Sequence, residues 1–140
     1  MDAVKKQVPA SKLVSDMKSE GKRMPGFGHK VYTIDPRTQK LLQVAKKESV
    51  SGAHVAYALQ VEKELEEQSS THKKLPLNID GCIAALCLDL GFEPLAAKAV
   101  FEVGRAGGLA AHVLEEARRE KPFRRLEPDE HAYDGPNERA

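Results

Sequence analysis

Between Pro25 and Arg37 the chain reads PGFGHKVYTIDPR, and neither a helix nor a strand can run through it. Pro25, Gly26 and Gly28 resist both regular structures, so a tight loop is expected here. Asp35 then reads as a helix N-cap and Pro36 as the first helical residue. The chain is thereby divided into an N-terminal helix, a glycine loop, and whatever follows Pro36. The loop also carries chemistry. Glycines without Cβ let a flat or phosphorylated ligand approach the main chain, with amide donors turned toward it. His29 can donate or accept a proton near neutrality. Arg37, in the first helical turn, offers a fork suited to a carboxylate. Taken alone, the same residues also read as a glycine turn, a surface histidine and an ordinary capped helix.

The rest of the pattern is helical. Pro9 to Gly21 predicts a short amphipathic helix with Leu13, Val14 and Met17 as its stripe and Gly21 as its stop. A helix from Pro36 to about Lys47 buries Leu41, Leu42 and Ala45. The next, from about Ser51 to Gln68, turns Val55, Ala58, Leu59 and Leu65 inward and leaves Glu62, Lys63, Glu66 and Glu67 in water. A polar connector, Ser69 to Lys74, precedes a mostly apolar helix from about Asn78 to Leu90, carrying Ile79, Ile83, Ala84, Leu86, Cys87 and Leu90. A helix apolar nearly all round belongs in a core, and Gly91 ends it. Pro94 opens a fifth helix. Gly104, Gly107 and Gly108 separate it from a sixth that ends near Arg119. The small residues Ala106, Gly107, Gly108, Ala110 and Ala111 allow close helix approach and suggest a packed or intersubunit face. From Lys121 onward the tail lacks periodicity. With no strand pattern and no repeat, the fold class is all-α.

Composition excludes several functions. The 140 residues suffice for one domain with its own core, and 22 basic against 21 acidic residues leave a net charge of +1. That balance argues against binding nucleic acid or a membrane surface through bulk charge. No apolar run approaches the roughly 20 residues of a membrane span, and no secretory-signal pattern opens the chain. Cys82 and Cys87, five apart in one helix, point to different sides and read as buried thiols; a reducing cytoplasm fits. His54, His72, His112 and His131 share no metal-like spacing, and no metal site is expected. His54 and His112 are expected on helix surfaces or edges.

Two further charged groups need a reason. Asp80, in LPLNIDGCIAAL, follows an apolar strand-like approach. Either it or Asn78 caps the buried helix; if Asn78 does, Asp80 is left for general-base work. Arg105 sits among small residues in EVGRAGGLAAH. It pairs with Glu102, three residues earlier, or with a ligand's anion. Lys73, Lys74, Lys121, Arg124 and Arg125 read by default as solvated.

PGFGHKVYTIDPR, LNIDG and VGRAGGLAAHVLEE, in this order and spacing, resemble the C-terminal half of the citrate synthase superfamily. That group includes 2-methylcitrate synthase, citryl-CoA lyase and the citryl-CoA-cleaving module of ATP-citrate lyase. KPFRRLEPDEHAYDGP resembles the short citryl-CoA-lyase-like members most, and the likeness runs from about Lys12 to Pro136. It implies a multihelical small domain at about residues 22–103, followed at about 104–140 by a helix and tail that pack on a large domain or partner subunit.

It also implies roles. His29 would polarise the keto carbonyl of oxaloacetate, and Asp80 would take a proton from acetyl-CoA. Arg37 and Arg105 would hold the carboxylates of oxaloacetate or citrate. Pro25, Gly26, Phe27 and Gly28 would lie against the adenine end of CoA, with Lys73 or Lys74 near its phosphates. The CoA thioester is a substrate, and no covalently bound cofactor is implied. A further family arginine corresponds to Lys121 here, with Arg124 close by; lysine supplies a point charge in place of a fork. The family also uses a histidine from a more N-terminal segment, and no histidine precedes His29. The likeness implies a homodimer or a complex with a large-domain polypeptide, and an N-terminal half or second polypeptide would complete the site. Other readings are a non-catalytic CoA- or citrate-binding module and a structural helical dimer.

Overall fold

The structure is a computed structural model that describes residues 2–69, 74–123, 125–127, 129–130 and 132. Among these residues there are six helices and no strand: α1 (Asp2–Lys5), α2 (Ala10–Ser19), α3 (Pro36–Lys47), α4 (Ala53–Glu67), α5 (Ile79–Asp89) and α6 (Ala96–Arg119). The all-α expectation is met. The chain forms two compact units, Met1–Val103 and Gly104–Ala140.

In the first unit α4 is central and touches α1, α2 and α5, while α3 packs on α5. One apolar cluster joins Ala45 of α3, Val55 of α4, Leu77, and Cys82, Ala85 and Leu86 of α5. A second joins Ala10 and Val14 of α2 to Val61 and Leu65 of α4. Phe27, from the glycine loop, packs against both clusters. Each fully buried aliphatic side chain contributes roughly 1.5–3 kcal/mol. Phe27 thus ties the loop to the core from which the helices project.

Local rules account for the ends of α3 and α5. Asp35 caps α3, its side chain accepting from Arg37 N, with Pro36 at the first position. Asn78 caps α5, accepting from the backbone of Asp80 and Gly81. Asp80 is therefore the second residue of α5 and not its cap. After α5, Gly91 takes a φ of +82° while Phe92 N donates to Cys87 O at 2.8 Å, the glycine-ended closure expected at that position.

Four expectations need correction. The fifth and sixth helices are one: α6 runs unbroken for 24 residues through Gly104, Gly107 and Gly108. Each glycine costs a helix only about 1 kcal/mol, and with no proline nearby the cost is tolerated. Leu59 and Leu90 are 41% and 51% exposed rather than core residues. Glu62 is not simply in water, since its Oε1 accepts from Leu77 N at 2.9 Å. His54 is not a plain surface histidine: its Nδ1 lies 2.8 Å from Asp89 Oδ1. The four-residue α1 was not expected; it is too short to show a period.

Along α6 none of the described residues is buried. Val103 is 75% exposed and Val113 65%. A Cβ added at Gly104, Gly107 or Gly108 would meet nothing within 4 Å. No helix among the described residues is long and apolar enough to cross a membrane.

Candidate active site

The glycine loop is stitched along the segment that leads into α5. Phe27 and Leu77 form an antiparallel bridge. Gly28 N donates to Pro76 O at 2.7 Å and Asn78 N to Gly26 O at 3.0 Å. Asn78 Nδ2 also donates to Gly28 O at 3.1 Å. Gly26 and Gly28 both sit at φ +84°, a region that other residues occupy only under strain. A Cβ on Gly26 would come within 2.9 Å of Gly81 Cα, and one on Gly81 within 2.4 Å of Gly26 O. Two glycines are thus required where loop and helix meet backbone to backbone. Gly28 N is engaged within the chain and Phe27 is turned toward the core. Pro25 is exposed.

This stitching delivers His29 at the end of the loop. Its Nδ1 accepts from Val31 N and Tyr32 N, both at 3.1 Å. An imidazole nitrogen that accepts carries no proton, so the pattern assigns the proton of the neutral ring to Nε2. Tyr32 lies against the ring with centroids 4.6 Å apart. Arg37 Nη2 lies 3.4 Å from Nε2; a guanidinium only donates, so with the proton on Nε2 the two are neighbouring donors and not a hydrogen-bonded pair. The ring is thereby held with a donor on its exposed edge.

Arg37 is held by Asp35. Its Nε donates to Oδ1 at 3.0 Å and its Nη2 to Oδ2 at 2.9 Å. The Asp35 side chain is fully buried, whereas that of Arg37 is 45% exposed. The hydrogen bond from the Arg37 side chain holds the Asp35 carboxyl below its ordinary range, against the upward push of burial. Asp35 in turn raises Arg37, chiefly by the same hydrogen bond, and the charge of Asp80 adds to this. Asp80 directly follows Ile79, whose N donates to the same Asp35 carboxylate at 3.0 Å. Its carboxylate is exposed beside the positive end of α5, where negative charge is favoured.

His29, Arg37 and Asp80 are thus gathered where the loop meets the first turns of α3 and α5. The other expected residues stand elsewhere. Lys74 is exposed, 3.6 Å from Glu66, and lines a cavity of ≈ 270 Å³ that also touches Asp35, Thr38 and Glu62. Arg105 is exposed on α6, and Lys121 is exposed just beyond it. Lys73 and Arg124 lie outside the described residues. No group of acidic, histidine and cysteine residues fit to hold a metal occurs among the described residues.

Three supporting groups escaped the sequence reading. Asp35 does more than cap, since its Oδ2 also accepts from Ile79 N at 3.0 Å. Glu62 anchors Leu77 to α4. Asp89, at the end of α5, accepts from Gly52 N, His54 N and Val55 N at 2.7–3.0 Å, capping α4 from 34 to 37 residues away. The signal for Asp35 was present in its cap position; the other two had none.

Comparison with known proteins gives the arrangement its context. A family model described as citrate synthase, C-terminal domain, matches residues 1–126, and the chain belongs to the citrate synthase family. It is 35% identical over 149 aligned residues to a probable ATP-citrate synthase from Dictyostelium discoideum, covering 94% of this chain and 24% of that protein. With a citrate synthase from Haloferax volcanii it shares 36% identity over 107 residues, covering 74% of this chain and 27% of the other. The solved citryl-CoA lyase from Hydrogenobacter thermophilus superposes with a TM-score of 0.80 at 37% identity, covering 99% of this chain and 55% of that one. An ATP citrate lyase from Methanosaeta concilii, solved in complex with (3S)-citryl-CoA, gives a TM-score of 0.67 at 28% identity over 98% of this chain and 24% of its own. The chain therefore spans about a quarter of these curated relatives and about half of the citryl-CoA lyase.

Proposed function

We propose that the chain is the citrate- and CoA-handling module of an enzyme that makes or breaks the carbon–carbon bond between an acyl-CoA and a 2-keto acid. The observation that carries this reading is the anchoring of His29 through Nδ1. Two backbone donors occupy Nδ1, which leaves Nε2–H as a fixed donor beside Arg37 and in the neighbourhood of Asp80. A fixed donor is what a developing alkoxide requires.

In condensation, Asp80 takes a proton from the methyl group of acetyl-CoA, and the enolate attacks the keto carbon of oxaloacetate. The electron pair of the C=O bond moves onto oxygen, where His29 Nε2–H supports it. Cleavage of citryl-CoA reverses these steps with the same groups. Arg37 and Arg105 bind carboxylates of oxaloacetate or citrate, with Lys121 and Arg124 supplying further positive charge. Pro25, Gly26, Phe27 and Gly28 form the CoA-facing loop, with Lys73 and Lys74 near the phosphates. Phe27 shapes that loop from within. Likeness to citryl-CoA lyase at 37% identity supports the cleavage direction. The histidine that stabilises the thioester enolate comes from the large domain that these relatives carry. The exposed apolar side chains of α6, Val103, Leu109, Val113 and Leu114 among them, support a partner, and the two free, buried cysteines suit a reducing cytoplasm.

The test is release of oxaloacetate from citryl-CoA by the chain, alone and with a polypeptide carrying the missing histidine, followed through malate dehydrogenase and NADH. Asp80→Asn is expected to lower the rate at least about 100-fold. Its melting temperature should fall only slightly, because the cap is Asn78 and the charge at the start of α5 is worth at most about 1 kcal/mol. An unchanged rate refutes the assignment of the base. Failure to bind citrate, oxaloacetate and CoA in calorimetric titration would leave only a structural helical module.

A further inference from the structure

A helix cap needs one oxygen acceptor, and serine, threonine or asparagine provides it without burying a charge. Asp35 is a carboxylate with no side-chain exposure. Removing a carboxylate from water costs several kcal/mol unless its acceptor sites are filled. Here they are. Oδ1 accepts from Arg37 N and Arg37 Nε, both at 3.0 Å. Oδ2 accepts from Arg37 Nη2 at 2.9 Å and Ile79 N at 3.0 Å. Four donors saturate a carboxylate, and they come from two different helices. One pair is the edge of the Arg37 fork. The other donors are the first turn of α3 and the first residue of α5, directly before Asp80.

The geometry has two consequences. With Nε and Nη2 committed, the guanidinium plane is fixed and only its outer edge, with Nη1, is left to meet a ligand. Through Ile79 N the same carboxylate joins the turn that carries Arg37 to the turn that carries Asp80. We propose that Asp35 is a positioning residue: it orients Arg37 for a substrate carboxylate and holds Asp80 in register with it, without touching the substrate. This rests on the citrate-binding reading above. It goes beyond that reading in assigning the buried charge of Asp35 to the site rather than to the cap.

Asp35→Asn is the informative variant. The amide keeps an oxygen to cap Arg37 N, but its NH₂ then stands where Oδ2 stood and faces two donors, Arg37 Nη2 and Ile79 N, so the Nη2 arm of the fork is released. Citrate binding by the chain is measured in calorimetric titration in a double-mutant cycle with Arg37→Gln. That second change removes the fork while leaving a donor for the carboxylate. Affinity is expected to fall roughly tenfold on Asp35→Asn in the parent chain, the scale of a lost charge-assisted hydrogen bond. In the Arg37→Gln background it should fall less than about twofold, because the residue through which Asp35 acts is gone. Asp35→Glu keeps the charge but displaces it by a methylene, and it should not rescue binding. Should Asp35→Asn not fold, as judged by thermal melting, the same cycle is run with Asp35→Glu.

Equal losses in both backgrounds would make Asp35 merely structural and overturn the proposal. Unchanged or tighter binding would also overturn it, showing that Asp35 is irrelevant to Arg37 or masks it. A parent chain that binds neither citrate nor citryl-CoA ends the functional reading and this inference together. A parent that binds, with no coupling in the cycle, ends this inference alone.

Discussion

Gly81→Ala separates the tertiary demand of the site from helix propensity. Gly81 lies in the first turn of α5, where alanine should gain about 1 kcal/mol over glycine. The added Cβ would stand 2.4 Å from Gly26 O, 2.8 Å from Leu77 Cδ1 and 3.0 Å from Gly26 Cα. Carbon–oxygen contacts settle at about 3.3 Å, so loop and helix must separate by ~0.9 Å. The closest atom is backbone and cannot rotate away. Such a shift breaks the 3.0 Å bond from Asn78 N to Gly26 O, a loss of about 1 kcal/mol, on top of about 1–3 kcal/mol of overpacking. After the propensity gain, a net destabilisation of about 1–3 kcal/mol is expected. Gly104→Ala is the control. It too is interior to a helix, but its Cβ meets nothing within 4 Å, so it should stabilise by up to about 1 kcal/mol. Urea unfolding followed by circular dichroism measures both. If Gly81→Ala were neutral or stabilising, the direct seating of the loop on α5 would be wrong.

Acid should find the two buried carboxylates. Asp35 is lowered from an ordinary 3.8, first by the Arg37 side-chain hydrogen bond. Asp89 is also lowered: burial pushes it up, but hydrogen bonds from His54, Val55 and Gly52 outweigh that. A folded pKa below the unfolded one gives stability that is complete above the unfolded value and is lost as pH falls through the folded one. Urea midpoints should therefore drop below about pH 4, and Asp89→Asn should flatten that drop; a pH-independent midpoint in the parent chain would contradict it. Cys82 is pushed up to about 11 by burial, with the charge of Asp35 adding to it. Neither cysteine of the native chain should react with a thiol-exchange reagent at pH 8, and both should in urea; immediate reaction of the folded chain would show the core to be open.

Much of the architecture was legible because its causes are local. The caps at Asp35 and Asn78, the glycine closure at Gly91, the stripes of α2 and α3 and most of that of α4 depend on residues within about a turn of one another. Where a local rule was pressed too hard it failed: three glycines did not divide α6, since about 1 kcal/mol apiece is a cost and not a stop. The site was legible as residue types, PGFGHK, DPR and NIDG, but not as geometry.

Sequence alone determined the helical class, the glycine loop and the candidates His29, Arg37 and Asp80. Only the tertiary structure decided that Gly26 and Gly81 meet backbone to backbone, that Asp35 serves both α3 and α5, and that Asp89 caps α4 across the core. These contacts join residues 34 to 55 positions apart. No periodicity encodes such distances; they exist because burying Phe27, Leu77 and Cys82 together brings the loop and both helix starts to one place.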